Sequence, residues 1–115
     1  MKTIFLDRDG VINYDLKYLY KIADFKFIDG IFDLCLYFQS LGYKIIVVTN
    51  QSGIGRNLYS ENDYQKLCRW MVKQFNLQKI EILDIFYCSH HPKSKCHCRK
   101  PNPGMLLDAK KKIWY

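Results

Sequence analysis

At 115 residues the chain has room for one domain, able to bury about two-thirds of the surface that its unfolded form exposes. A hydrophobic content of 49% excludes a disordered chain, and no apolar run nears the ~18 residues of a membrane span. The formal net charge of +7 suits an anionic partner, a phosphorylated metabolite or a nucleic acid, although Lys110, Lys111 and Lys112 read as a solvated helix end.

The chain begins with a short apolar run, Lys2-Thr3-Ile4-Phe5-Leu6, that reads as a buried strand. It leaves no room for a signal peptide, so a cytoplasmic protein is expected. Asp7-Arg8-Asp9-Gly10-Val11-Ile12 follows at once. Ligands of open parallel α/β sheets bind beyond the carboxyl ends of the strands. Two acids one residue apart at such an end would share a crevice with several backbone N–H groups. Asp and Gly are also ordinary turn formers, so the rest of the chain must decide between these readings. Residues 13–27, rich in Tyr, Lys and Asp without a sustained period, read as a loop that covers the crevice.

Ile31, Leu34, Cys35, Phe38 and Leu41 fall on one helical face, and Gly42 is a natural stop. Lys44-Ile45-Ile46-Val47-Val48 is a β-branched run of the kind buried on both faces of a parallel sheet. It ends in Thr49-Asn50-Gln51-Ser52-Gly53-Ile54-Gly55-Arg56. This exit offers a hydroxyl, amide groups, flexible backbone donors for an oxyanion, and an arginine fork. Ser60 with Asp63 resembles a capping box opening a second helix, whose stripe runs through Tyr64, Leu67, Cys68, Met71 and Phe75. Cys35 and Cys68 lie in these apolar stripes and are read as core.

A third apolar run closes with Ile85-Phe86-Tyr87 and enters a cysteine and histidine cluster. The last helix is expected after Pro101-Asn102-Pro103-Gly104, through Met105-Leu106-Leu107-Asp108-Ala109, with lysines in its final turn. Strand and helix alternate three times, which implies a parallel sheet with right-handed crossovers.

Five cysteines in a cytosolic chain argue against a disulfide framework. Cys88 and His90 form one short arm, Cys96 and Cys98 another, with five residues between the two arms. Three thiolates and one imidazole would saturate a tetrahedral zinc and leave no position for water, which makes the site structural. His91 and His97 are spare histidines that would substitute for His90. Arg99 and Lys100 directly follow the second arm, so a zinc knot would fix where they point.

Asp7-Arg8-Asp9-Gly10-Val11-Ile12-Asn13, the Thr49-to-Arg56 segment, the cysteine and histidine cluster and Cys98-Arg99-Lys100-Pro101 together resemble the haloacid-dehalogenase-like phosphatases. The resemblance spans nearly the whole chain and implies a Rossmann-like α/β fold, a parallel sheet with flanking helices. It implies hydrolysis of a sugar phosphate monoester, the 7-phosphate of a heptose 1,7-bisphosphate in the first place and histidinol phosphate as the alternative. Asp7 would be the nucleophile that forms an aspartyl-phosphate, and Asp9 the general acid and then base. Thr49 would bind the phosphoryl oxygens and Lys100 would neutralise them. Arg99, with Asn50, Gln51 and Ser52, would meet the sugar or its second phosphate. Mg²⁺ would be held by the Asp7 carboxylate, the Asp9 carbonyl and an acid of a fourth motif.

The chain departs from the pattern at that motif, a Gly-Asp-x-x-x-Asp-like segment on a further strand. Asp108 cannot replace it, because it falls within the last predicted helix. The reading is therefore of residues 1–115 as one domain, incomplete at its C-terminus, with a zinc loop over 88–98. Its first strand would lie on an exposed sheet edge, open to self-association or a partner chain. A catalytically impaired remnant that binds ligand is the non-enzymatic alternative. Action on nucleic-acid ends is a further one, suggested by the charge alone.

Overall fold

The computed structural model describes residues 2–91 and 93–113. The three apolar runs form strands β1 (Thr3–Leu6), β2 (Lys44–Asn50) and β3 (Ile82–Cys88), all parallel and in that spatial order. Thr3 pairs with Lys44 and Leu6 with Val47, while Asn50 pairs with Cys88. This register brings Asp7, the polar exit of β2 and the start of the cysteine cluster to one edge of the sheet.

Side chains alternate along a strand, and β2 uses both faces. Ile45 and Val47 pack with helices α1 (Ile31–Ser40) and α3 (Glu61–Leu77) through Cys35, Leu67, Met71 and Phe75. Ile46 and Val48 face the other way, toward Met105 of helix α4 (Gly104–Ile113), with Phe5, Leu83 and Phe86 beside it. Both cysteines of the helical stripes are buried, and burial pushes the Cys35 thiol up to about 11.

The helix ends follow from local chemistry. Gly42, at φ 86°, lets its own N–H reach the Gln39 carbonyl and the Tyr43 N–H reach Phe38, closing α1 with two bonds. At the start of α3, Ser60 Oγ accepts from the Asp63 N–H and the Asp63 carboxylate accepts from the Ser60 N–H, both at 3.0 Å.

Two expectations need correction. Residues 52–55, read as a flexible loop, form a single helical turn, α2 (Ser52–Gly55). Residues 13–27 are anchored more firmly than their lack of period suggested: Leu19 and Phe25 are buried, and Phe25 packs edge-on against Trp70 at 5.4 Å between centroids. Apolar side chains spaced too widely to make a period can each still reach the core. The third stretch, residues 80–87, supplies β3 from Ile82 onward; Asp84 interrupts its apolar pattern and pairs with Lys112 of α4 at 2.8 Å.

The chain's β1 borders the sheet on one side and β3 on the other. Among the described residues no helix is long and apolar enough to cross a membrane.

Candidate active site

β1 stops at Leu6, and the next three residues diverge. Asp7 Oδ1 accepts the Arg8 backbone N–H at 2.8 Å and the Lys100 ammonium at 2.9 Å. Lys100 Nζ also donates to the Val48 carbonyl at 3.1 Å, and its backbone N–H donates to Asn50 Oδ1 at 2.9 Å. The exit of β2 thus holds the loop that carries Lys100 against the end of β1.

Asp9 stands in different surroundings. Arg8 turns inward, 1% exposed, and grips the Asp9 carboxylate from Nε and Nη2 at 3.0–3.1 Å. Asn13 Nδ2 donates to Oδ1 at 3.0 Å, and Gln51 Nε2 donates to Oδ2 at 3.1 Å. Arg8 Nη2 also reaches the Leu19 carbonyl at 3.2 Å, which ties the covering segment to the same guanidinium. The two acids differ accordingly: Asp7 faces a half-exposed lysine, and Asp9 sits in a cradle of buried donors.

Both acids line one cavity of about 270 Å³. Asn50, Gln51, Ser52, Arg99 and Lys100 line it too, and so do Asp15, Lys17 and Tyr18 of the covering segment. Thr49 does not. It is 1% exposed and lies beneath Gln51, whose Nε2 donates to its Oγ1 at 2.9 Å. Gln51 is itself 2% exposed, with Oε1 taking a hydrogen bond from the Tyr59 hydroxyl at 2.5 Å. Burial pushes the Tyr59 phenol up to about 12, against an opposing pull from Arg8. Arg56 stacks over the Tyr18 ring at 5.6 Å and does not line the cavity.

The second cluster lies where β3 runs out. Cys88, His90, Cys96 and Cys98 bring one ligand atom each to within 4.8 Å of one another. Cys88 Sγ lies 3.6 Å from Cys96 Sγ, and His90 Nδ1 lies 3.1 Å from Cys98 Sγ. In their reduced form these four side chains are of the types, and converge closely enough, to hold a tetrahedral ion. The two arms converge so closely that the Cys88 and Cys98 sulfurs are joined as a disulfide, a pairing that the expectation of reduced thiols did not contain. His91 accepts the Lys93 N–H on Nδ1, and His97 lies outside the cluster with its carbonyl taking the Gly104 N–H. A side chain at Gly104 would collide with that carbonyl, so glycine allows α4 to start against the second arm. Among the described residues this is the one group of three or more metal-capable side chains; Asp15 lines the cavity but does not group with Asp7 and Asp9.

A family model described as polynucleotide kinase 3 phosphatase matches residues 6–114. The chain belongs to that family. It is 56% identical over 109 residues to D-glycero-alpha-D-manno-heptose-1,7-bisphosphate 7-phosphatase of Campylobacter jejuni, covering 95% of this chain and 62% of that protein. Among solved structures, a D,D-heptose 1,7-bisphosphate phosphatase from B. bronchiseptica, complexed with magnesium and phosphate, superposes with a TM-score of 0.90 at 31% identity. That match covers 100% of this chain and 65% of the other. A HAD-like phosphatase from Mesorhizobium loti superposes equally well, with a TM-score of 0.90 at 28% identity over 98% of this chain and 57% of that one. The fold is haloacid-dehalogenase-like, and the chain spans a little under two-thirds of the relatives that it matches.

Arg8, Asn13 and Tyr59 were not singled out in the sequence. Arg8 carried one signal: a charged residue between two acids at a strand end has to point somewhere, and the core side leaves it a carboxylate. Tyr59 carried none, because its partner Gln51 is reached only through the turn of α2.

Proposed function

We propose that the chain, as one domain over residues 1–115, carries the catalytic face of a Mg²⁺-dependent phosphatase of sugar phosphate monoesters. The preferred substrate on this reading is the 7-phosphate of D-glycero-D-manno-heptose 1,7-bisphosphate. One observation carries it: two carboxylates at the same strand end have opposite partners, Asp7 a cavity lysine and Asp9 a buried donor cradle. Acids with separate surroundings suit separate tasks.

Asp7 attacks phosphorus, and the bond to the sugar oxygen breaks as the aspartyl-phosphate forms. Asp9 delivers a proton to that leaving oxygen, then takes one from the water that hydrolyses the intermediate and frees Asp7. Lys100, already 2.9 Å from Asp7, neutralises charge on the phosphoryl group. Arg99, Asn50 and Ser52 line the same cavity and would meet the sugar or its second phosphate. The Asp7 carboxylate and the Asp9 carbonyl would hold Mg²⁺, which spreads phosphoryl charge when bound; magnesium sites often use one or two carboxylates with water and substrate phosphate. Cys88, His90, Cys96 and Cys98, in their reduced form, would hold a structural zinc in the 88–98 loop and so set the direction of Arg99 and Lys100.

Phosphate release from the heptose bisphosphate, with and without Mg²⁺, tests this reading against histidinol phosphate. Release from the heptose substrate at least about tenfold faster supports it. No release from either, with Mg²⁺ present, overturns it. Zinc content measured in protein purified without chelator, and its loss in Cys96→Ser, tests the metal loop separately.

Among the described residues no third acid groups closely with Asp7 and Asp9, although Asp15 lines the cavity, and this favours a second reading, a chain that binds phosphorylated sugar and turns it over slowly. A kcat/KM roughly 10²-fold below that of the Campylobacter jejuni relative would mark it. On either reading the outer edge of β1 is where we place a further strand or a second chain.

A further inference from the structure

Gln51 lines the cavity, yet every polar atom of its side chain is already engaged. Its Oε1 accepts from Tyr59, while Nε2 has two hydrogens and two acceptors, Asp9 Oδ2 at 3.1 Å and Thr49 Oγ1 at 2.9 Å. The opposite amide orientation would set Oε1 against the Asp9 carboxylate, acceptor facing acceptor. With Oε1 toward Tyr59, the phenol also has an acceptor for its proton, so all three contacts are paired.

Tyr59 is in turn fixed by packing. Its ring is 7% exposed and stacks on Tyr20 with centroids 5.5 Å apart. On another side it lies so close to Gly53 that a Cβ there would run into the ring. α2 therefore passes over Tyr59 with no room to spare, and the hydroxyl is aimed at Gln51.

We propose that Gln51, oriented by Tyr59 and anchored on Thr49, is a positioning residue that holds Asp9 Oδ2 in place for proton transfer, and is not a contact for the sugar. The inference rests on the phosphatase reading above. Arg8 and Asn13 hold Oδ1, and Arg8 Nη2 also reaches Oδ2 at 3.1 Å; Gln51 is the second donor to Oδ2 and lines the cavity. Thr49 follows as its footing on β2.

A residue that positions a general acid matters most when the leaving oxygen needs a proton. Phenyl phosphate and p-nitrophenyl phosphate have nearly the same shape and no sugar hydroxyls, but the nitrophenolate leaves far more readily unprotonated. The reading of kcat/KM confines the comparison to the steps through phosphoryl transfer. In Gln51→Met, kcat/KM is expected to fall roughly 100-fold on phenyl phosphate and less than about fivefold on p-nitrophenyl phosphate. Tyr59→Phe should show the same asymmetry at about tenfold. Equal losses on both substrates, or no loss on either, overturn the proposal.

Failure of the phosphatase reading looks different: the wild-type chain then turns over neither ester with Mg²⁺ present. The positioning geometry is still read by NMR, from exchange of the Gln51 side-chain amide hydrogens with water. In the wild type they should exchange slowly, and in Tyr59→Phe at least about tenfold faster. Fast exchange in the wild type overturns the proposal whatever the activity.

Discussion

The Asp9 cradle and the 88–98 loop lie close to the same cavity, yet they are held in opposite ways. Asp9 is gripped by Arg8, Asn13 and Gln51, all buried and all anchored in or beside the apolar core. Among its described residues the loop contains no helix, and its strand ends at Cys88; His90, Lys93, Ser94 and Lys95 are exposed. Four side chains converging on one point hold it, together with a few bonds such as Asn102 Nδ2 to the Cys96 carbonyl at 3.0 Å. The acidic half of the site is thus part of the fold, and the basic half is suspended from it. Substitutions should separate the two.

The largest expected effect is on chemistry alone. Asp7→Asn removes the proposed nucleophile and should lower phosphate release roughly 10³-fold or more. Its ion pair with Lys100 joins two partly exposed side chains, so stability should change little. A thermal midpoint that falls with activity would make Asp7 structural.

Arg8→Met should do the reverse of that at the same strand end. It strips the guanidinium donors from Asp9 and leaves the Leu19 carbonyl without its partner, at a cost of about 3 kcal/mol. Asp9 keeps some solvent contact, which holds the figure at the lower end of what a broken buried pair costs. Denaturant unfolding gives the value directly. An unfolding midpoint within error of wild type would mean that the cradle is not part of the core.

Much of this contrast was legible in the chain itself. β2 was readable because four consecutive β-branched apolar residues, Ile45 to Val48, admit few alternatives, and the capping box at Ser60 was readable because it is local. Asp7 and Asp9 announced themselves by their place at a strand end, and the cluster of Cys88, His90, Cys96 and Cys98 by its spacing. The direction of each side chain was not legible. Thr49 and Gln51 lie in a loop motif that suggests ligand contact, yet the fold buries both and turns them toward each other and toward Asp9. Such partnerships cross 42 residues of sequence, as between Gln51 and Asp9, and depend on how α2 and the covering segment pack.

Loosening the suspended half should cost about tenfold in kcat/KM, the scale of a displaced supporting group at a metal site. Cys96→Ser, or removal of metal by a chelator, is the means. The loop's cysteines pack with Ile46, Val48 and Met105, whereas Tyr59 packs in another cluster with Tyr64 and Cys68, so the slow exchange of the Gln51 amide hydrogens should survive in Cys96→Ser. If that protection is lost as well, the two halves are one cooperative unit and the comparison above is wrong.

The smallest effect concerns Tyr59 and shows only in alkali. The folded chain raises this phenol from 10 to about 12, chiefly by burial. A group whose folded value is raised contributes stability that is fully present below the unfolded value of 10, and that is lost as pH climbs from there toward 12. Wild type and Tyr59→Phe should therefore differ most in thermal midpoint below pH 10, and the gap should narrow above it. Ionisation also reverses the hydrogen bond, since a phenolate can only accept. Gln51 would then have to turn Nε2 toward Tyr59, which takes that donor away from Asp9 and from Thr49. Loss of Gln51 amide protection should track the appearance of the Tyr59 tyrosinate in the ultraviolet spectrum. A Tyr59 that titrates at 10 while the amide stays protected would uncouple the two side chains.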